Sequence, residues 1–264
     1  MLEGTSSVCC MARVTGADVF PVDAGMAVDV EGLPSVKVAC GTRDLAVEPA
    51  MTRRQALHVL LAGMDMARDL KERGYTLLSA GEMGIGNTTT TSAVAAALLG
   101  RPAVEMTGKG AGLSDAGLEK KIAVIDRAIA LHRPDPADPV DVISKVGGFD
   151  IAAMCGFYLG AAASKAPALL DGVISCTAAL CAARLCPNVL GYLVGTHASS
   201  EPASRELLRE LGIKAPLDAG MHLGEGAGAM AYLPLLDSAL RVYRDGKTFT
   251  ATGMAAYEHF EAGK

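Results

Sequence analysis

The chain has 264 residues, half of them apolar and a fifth charged, which is enough to bury a sizeable core and too apolar for a disordered chain. A net charge of −5 with no basic block, and only 4% aromatic residues, argues against nucleic acid as the partner and for a small molecule. The start, "MLEGTSSVCC", has no basic region followed by an apolar one, and the longest apolar run, "IAAMCGFYLGAAA", falls short of the ~20 residues of a membrane span, so a soluble cytoplasmic protein without membrane contact is expected.

Along the chain, short apolar runs alternate with alanine- and leucine-rich stretches. The segments 17–25, 35–40, 75–81, 167–173 and 192–197 read as buried strands. Between them, 53–74, 87–100, 117–132, 147–165, 174–186 and 201–212 read as helices. Strands alternating with helices predict an α/β fold, a doubly wound and mostly parallel sheet with helices on both faces, in one domain spanning 1–264. The proline-rich "HRPDPADPVD" (132–141) reads as an extended linker that divides the fold into halves. A small helical portion over about 221–264 ends the chain, one amphipathic helix broken near Asp245-Gly246 and a short tail. The seven cysteines form no CxxC pair, and Cys176, Cys181 and Cys186 recur every five residues, which fans them around a helix. They read as reduced core thiols.

Ligands of open α/β sheets sit beyond the carboxyl ends of the strands, so the strand-to-helix turns carry the functional signal. The stretch "LLSAGEMGIGNTTTTSAVAAALLG" (77–100) runs from a strand through Gly81, Gly84 and Gly86 into a threonine-rich helix start. The glycines allow close backbone approach, Asn87 can cap the helix, and Thr88 and Thr89 bring hydroxyls to its positive end, a setting for phosphate. It is neither a Walker A loop nor the dinucleotide fingerprint, and a tight turn with a threonine cap remains open. "LLDGVIS" places Asp171 and Gly172 at another strand end, suited to a sugar hydroxyl and a phosphate oxygen. "THASSEPASRELL" puts Ser199 and Ser200 before a helix, where ordinary capping is the plainer reading of Ser200. "TGKGAGLSDAGLEKK" offers Lys109, Lys120 and Lys121 as cations for an anion site, although a lone lysine is usually solvated. In "DAGMHLGEGAGAM", Glu225 stands between Gly224 and Gly226, its carboxylate unscreened by neighbouring side chains. Taken alone, a partner for the helix dipole is the plainer reading of it.

Together and in order, "GEMGIGNTTTTSA", "KVGGFD", "LLDGVIS", "THASSEP" and "HLGEGAGA" resemble the nicotinate-nucleotide:dimethylbenzimidazole phosphoribosyltransferases of cobalamin lower-ligand synthesis, from about Gly4 to about Tyr243. The resemblance implies transfer of the 5-phosphoribosyl group of nicotinate mononucleotide to a benzimidazole-type base, giving an α-ribazole phosphate and nicotinate, in a homodimer with no metal or redox cofactor. It implies Glu225 as the base that removes the ring-nitrogen proton. Glu82, Gly84, Thr88 and Thr89 map around the nucleotide, Gly172 and Ser199 onto phosphate contacts, and Lys121 onto a lysine near the site.

Members of this family carry a substantial N-terminal region before the equivalent of "LEGTSSVCCMARVTGADVFPVDAG", and it contributes part of the acceptor-base pocket. The sequence therefore leads to the expectation of a truncated or shortened chain with an incomplete base pocket. A half-site or non-catalytic subunit that binds the nucleotide and needs a partner chain is the alternative. A nicotinamide-dependent oxidoreductase is disfavoured by the missing fingerprint.

Overall fold

A computed structural model describes residues 1–255 of the chain. Three short strands, β1 (Leu78–Ala80), β2 (Ala168–Leu170) and β3 (Leu193–Val194), pair in parallel in chain order, with Leu78 opposite Ala168 and Ala168 opposite Leu193. No reversal of strand order occurs among the described residues. All three residues of β2 are buried, as expected of a central parallel strand covered on both faces.

Helices make up most of the rest. In chain order they are α1 (Ser7–Thr15), α2 (Arg53–Glu72), α3 (Thr88–Leu99), α4 (Ala103–Met106), α5 (Asp115–His132), α6 (Pro139–Val146), α7 (Phe149–Ala163), α8 (Val173–Leu185), α9 (Ala203–Leu211), α10 (Ala227–Asp245) and α11 (Phe249–Thr252). The start of α2 is set by a capping box, in which the Thr52 side chain accepts from the Gln55 amide and the Gln55 side chain accepts from the Thr52 amide. No described helix is long and apolar enough to cross a membrane.

Several sequence expectations are corrected. The expected strands at 17–25 and 35–40 are loop, joined by a single bridge between Asp23 and Ser35. The buried Asp23 carboxylate accepts from the Gly25 and Met26 amides and pairs with Lys37 at 2.9 Å, so side-chain bonds organise the segment in place of a ladder. The linker expected at 132–141 ends in α6, because Pro139 occupies the first helical position and Asp138 caps it, accepting from the Val140 and Asp141 amides. Proline is excluded from a helix interior, not from its first turn. Far from dividing the fold, α6 buries Val140, Val142, Ile143 and Val146 in the core. The C-terminal helix runs from Ala227 to Asp245, ending at the expected break, while residues 256–264 of the expected tail lie outside the described residues. Cys155, Cys176 and Cys181 are core thiols, whereas Cys186 lies just beyond α8 and is exposed, as are Cys10 and Cys40.

α2 lies along α7 with backbone against backbone. A Cβ on Gly156 would come within 1.8 Å of the Leu60 carbonyl oxygen, and one on Gly63 within 2.0 Å of that of Ala153. Neither carbonyl can move without breaking its own helix. Gly156→Ala is therefore expected to destabilise the fold by about 1–3 kcal/mol, the usual cost of overpacking. Denaturant midpoints check this, and a change below about 0.5 kcal/mol would mean that the helices separate freely.

Candidate active site

The three strand ends open onto one place. β1 runs into Gly81 and Glu82, β2 into Asp171 and Gly172, and β3 into Thr196, His197 and Ser199. Across them lies the turn Gly224–Gly226, in which three successive residues, Glu225 among them at φ 61°, adopt the left-handed conformation. For a residue with a side chain that conformation costs about 1–2 kcal/mol. Surrounding contacts enforce it. The Glu225 amide donates to the Glu82 carbonyl at 2.7 Å, and the Gly226 and Gly228 amides donate to the two oxygens of Asp171 at 3.0 and 2.7 Å. Gly81 has to be glycine, since a Cβ there would meet the Gly226 nitrogen at 2.1 Å.

Glu225 precedes α10 instead of lying in its first turn, and its half-buried carboxylate accepts from the Val8 amide in the first turn of α1 at 3.1 Å. The unscreened carboxylate expected from the flanking glycines is thus held in one orientation by a helix that the sequence reading did not identify. Asp171 is buried and both its oxygens are committed to the turn, so it acts here as the anchor of Glu225. Burial pushes the Asp171 carboxyl above its ordinary range, while His197 beside it and the glycine amides pull it down.

Glu82 lies beneath the same turn, with its Oε1 3.1 Å from a Cβ placed on Gly224. Desolvation pushes its carboxyl up to about 7; the Asn87 hydrogen bond opposes this, and the charges of Asp150, Asp171 and Glu225 add to it. Asn87 does not cap α3 with its side chain. Its Nδ2 donates to Glu82 at 2.5 Å and to Asp150 at 2.7 Å, and its carbonyl accepts from the Thr90 and Thr91 hydroxyls. The Asn87 side-chain oxygen is buried without a partner among the described residues.

Lys121 is the one expected cation that the fold turns inward. It shares the buried stripe of α5 with Ile125 and Ala128, and Nζ donates to the Thr88 hydroxyl and to the Gly108 carbonyl, each at 3.0 Å. No carboxylate lies within 4.0 Å of it among the described residues; Glu201, whose carboxylate crosses Gly108, acts from farther off. Desolvation lowers its pKa. A buried ammonium on neutral acceptors is costly, and an anionic ligand offsets that cost. Lys109, in contrast, is half exposed and pairs with Asp115.

Ser199 is buried, its amide donates to the Ser204 hydroxyl at 2.9 Å, and its own hydroxyl accepts from the Glu201 amide at 3.4 Å. Gly172 caps α8, and a Cβ there would touch nothing closer than His197 Nε2 at 3.9 Å. Gly84 is equally open, with Glu82 at 3.8 Å, and Thr89 is half-buried beside Thr88 in the first turn of α3. Thr196, His197, Ser204 and the Asn87–Asp150 contact were not singled out from the sequence. Polar residues directly after an apolar strand were the available signal. Among the described residues no three His, Cys, Asp or Glu side chains are grouped to hold a metal ion.

Parallel strand ends meeting helix N-termini, hydroxyls and a buried lysine are the features of an α/β protein that binds an anionic small molecule. The family described as Phosphoribosyltransferase matches residues 1–254. A nicotinate-nucleotide–dimethylbenzimidazole phosphoribosyltransferase of Acetivibrio thermocellus is 44% identical over 259 residues, 97% of this chain and 74% of the relative. One from a Roseiflexus species is 45% identical over 257 residues, 96% and 73% of the two. The crystal structure of CobT from Thermus thermophilus superposes with a TM-score of 0.90 at 38% identity, covering 96% of this chain and 77% of that one. The chain belongs to the nicotinate-nucleotide–dimethylbenzimidazole phosphoribosyltransferase family.

The open space at Gly84 and Gly172 separates fold from ligand. Gly84→Val is expected to leave the folding midpoint within about 0.5 kcal/mol of the parent, and Gly172→Val to cost about 1 kcal/mol as a poorer helix cap, while each weakens nicotinate mononucleotide at least about tenfold, because a side chain there blocks backbone approach. Calorimetric titration checks this, and parental affinity in both variants would remove these glycines from the site.

Proposed function

We propose that the chain transfers the 5-phosphoribosyl group of nicotinate mononucleotide to a benzimidazole-type base, giving an α-ribazole 5′-phosphate and free nicotinate for cobalamin nucleotide-loop assembly. The observation that carries this is the position of Glu225, a carboxylate oriented by the α1 amide on a strained turn that Asp171 and Glu82 hold over the strand ends. Strain of this kind persists where the surrounding structure enforces it, and it collects at functional sites.

The chemistry follows from the reactants. Nicotinate is joined to ribose through a pyridinium nitrogen, so the C1′–N bond breaks with its electron pair returning to the ring and the leaving group needs no proton. A benzimidazole nitrogen attacks C1′ from the opposite face and converts the β linkage to α. The other ring nitrogen loses its proton to Glu225. At the far end of the substrate, Lys121, Thr88 and Thr89, the Gly172 turn at the start of α8 and Ser199 receive the phosphate. Gly84 and Glu82 border the nucleotide between these ends.

The same reading includes a cytoplasmic homodimer. It is supported by seven unpaired cysteines, which suit a reducing compartment, and by the apolar side chains that α10 leaves exposed, Leu235, Val242 and Tyr243 among them. Sedimentation at micromolar concentration is expected to give a dimer. A monomer would overturn that part alone.

Incubation with nicotinate mononucleotide and dimethylbenzimidazole, followed by chromatography, is expected to give equal amounts of nicotinate and α-ribazole phosphate. Glu225→Gln should lower turnover about 10²-fold or more, the scale of a positioned general base, with mononucleotide affinity little changed. Unaltered turnover with chemistry rate-limiting would sink the assignment of Glu225.

A further inference from the structure

His197 has no role in the reaction as written. Its ring is buried beyond the end of β3, between Asp171 and the Gly172–Ser199 corner. The two ring nitrogens have different surroundings. Thr196 Oγ1 lies 2.6 Å from the Leu170 carbonyl oxygen and 3.2 Å from His197 Nδ1. A threonine hydroxyl carries one hydrogen and a carbonyl only accepts, so that hydrogen goes to Leu170. The second contact is then Nδ1–H donating to Oγ1. In the neutral ring this leaves Nε2 with a lone pair and no hydrogen.

Nε2 faces the position proposed for the phosphate. It stands 3.9 Å from a Cβ placed on Gly172, with the Ser199 Cβ 4.0 Å from the same point. Among the described residues nothing is hydrogen-bonded to Nε2, and it is not among the sealed polar atoms without a partner. The charged group acting on the ring is Asp171 at the end of β2; the 224–228 turn brings Gly228 against it, and Gly172 and Ser199 carry no charge.

We propose that His197 is a further contact to the 5′-phosphate of the nucleotide, donating through Nε2–H in its imidazolium form, so that the phosphate and one proton bind together. The proposal rests on the phosphate site set out above. A phosphate monoester presents only acceptor oxygens once it is a dianion, and a neutral Nε2 would set a lone pair against them. Placing one proton between the two turns a repulsion into a charge-assisted hydrogen bond. In the free protein, burial lowers the pKa of the ring, and Asp171 opposes this. The ring is therefore mostly neutral at neutral pH, and the proton is taken from solvent on binding. The arriving dianion adds a second negative charge beside the ring and raises its pKa.

Calorimetric titration of the full chain with nicotinate mononucleotide and with nicotinate riboside, in buffers of different ionisation heat near pH 7.5, above the phosphate's second pKa of about 6, tests this. The expected result is uptake of nearly one proton with the mononucleotide and none with the riboside. Mononucleotide affinity should also fall about tenfold per pH unit above neutrality. His197→Gln places a non-titrating amide donor at the Nε2 position, and it should abolish the uptake and flatten the pH dependence while leaving riboside affinity unchanged. Absence of uptake in the parent, or equal uptake in His197→Gln, overturns the proposal while the phosphate site stands. Equal affinity for riboside and mononucleotide overturns the phosphate site and this proposal with it. If His197→Gln does not fold, the ¹⁵N shift of His197 Nε2 in the parent decides, since movement to the imidazolium position on adding mononucleotide supports the proposal and a ring that stays neutral overturns it.

Discussion

The carboxylate of Asp171, with one oxygen on the Gly226 amide and the other on that of Gly228, ties the end of the central strand to the turn that carries Glu225. Two segments more than fifty residues apart in the chain meet there in a buried setting, where an amide without an acceptor costs about 1–3 kcal/mol. Removing the carboxylate would leave two such amides and release a turn that already bears left-handed strain. The precision of Glu225 therefore depends on a group that touches no reactant in the proposed chemistry.

Around that anchor, small residues let main chains approach where side chains would block them. Gly81 admits the Gly226 nitrogen, Gly228 admits the His197 ring, and Gly63 and Gly156 let α2 and α7 touch. Gly84 and Gly172 have open space beside them. The first group is required by the fold, while the second is free to serve a ligand. Glycines that look alike in the sequence thus divide into two kinds by what a Cβ would meet.

The electrostatics divide the site in a similar way. Burial pushes the Glu82 carboxyl up to about 7, and the charges of Asp150, Asp171 and Glu225 add to this. Lys121 stands on the Thr88 side with neutral acceptors only.

Much of this was legible in the sequence because it rests on local chemistry. Apolar runs ending in glycine or acidic residues marked β1, β2 and β3 to within a few residues, and the glycine-flanked Glu225 and the threonine-rich start of α3 were visible as motifs. Lys121 was visible only as one of three candidate cations, and its burial with Ile125 and Ala128 on the inner face of α5 came from the fold. The loops at 17–25 and 35–40 were misread because apolar composition alone does not reveal that Asp23 will draw amides and Lys37 into a side-chain network. Which residue anchors Glu225, which glycines face backbone, how α1 meets the carboxylate and which nitrogen of His197 is free were decided by tertiary structure alone. Each depends on a contact between segments distant in the chain, and the period of a helix or strand specifies only which side of its own element a residue occupies.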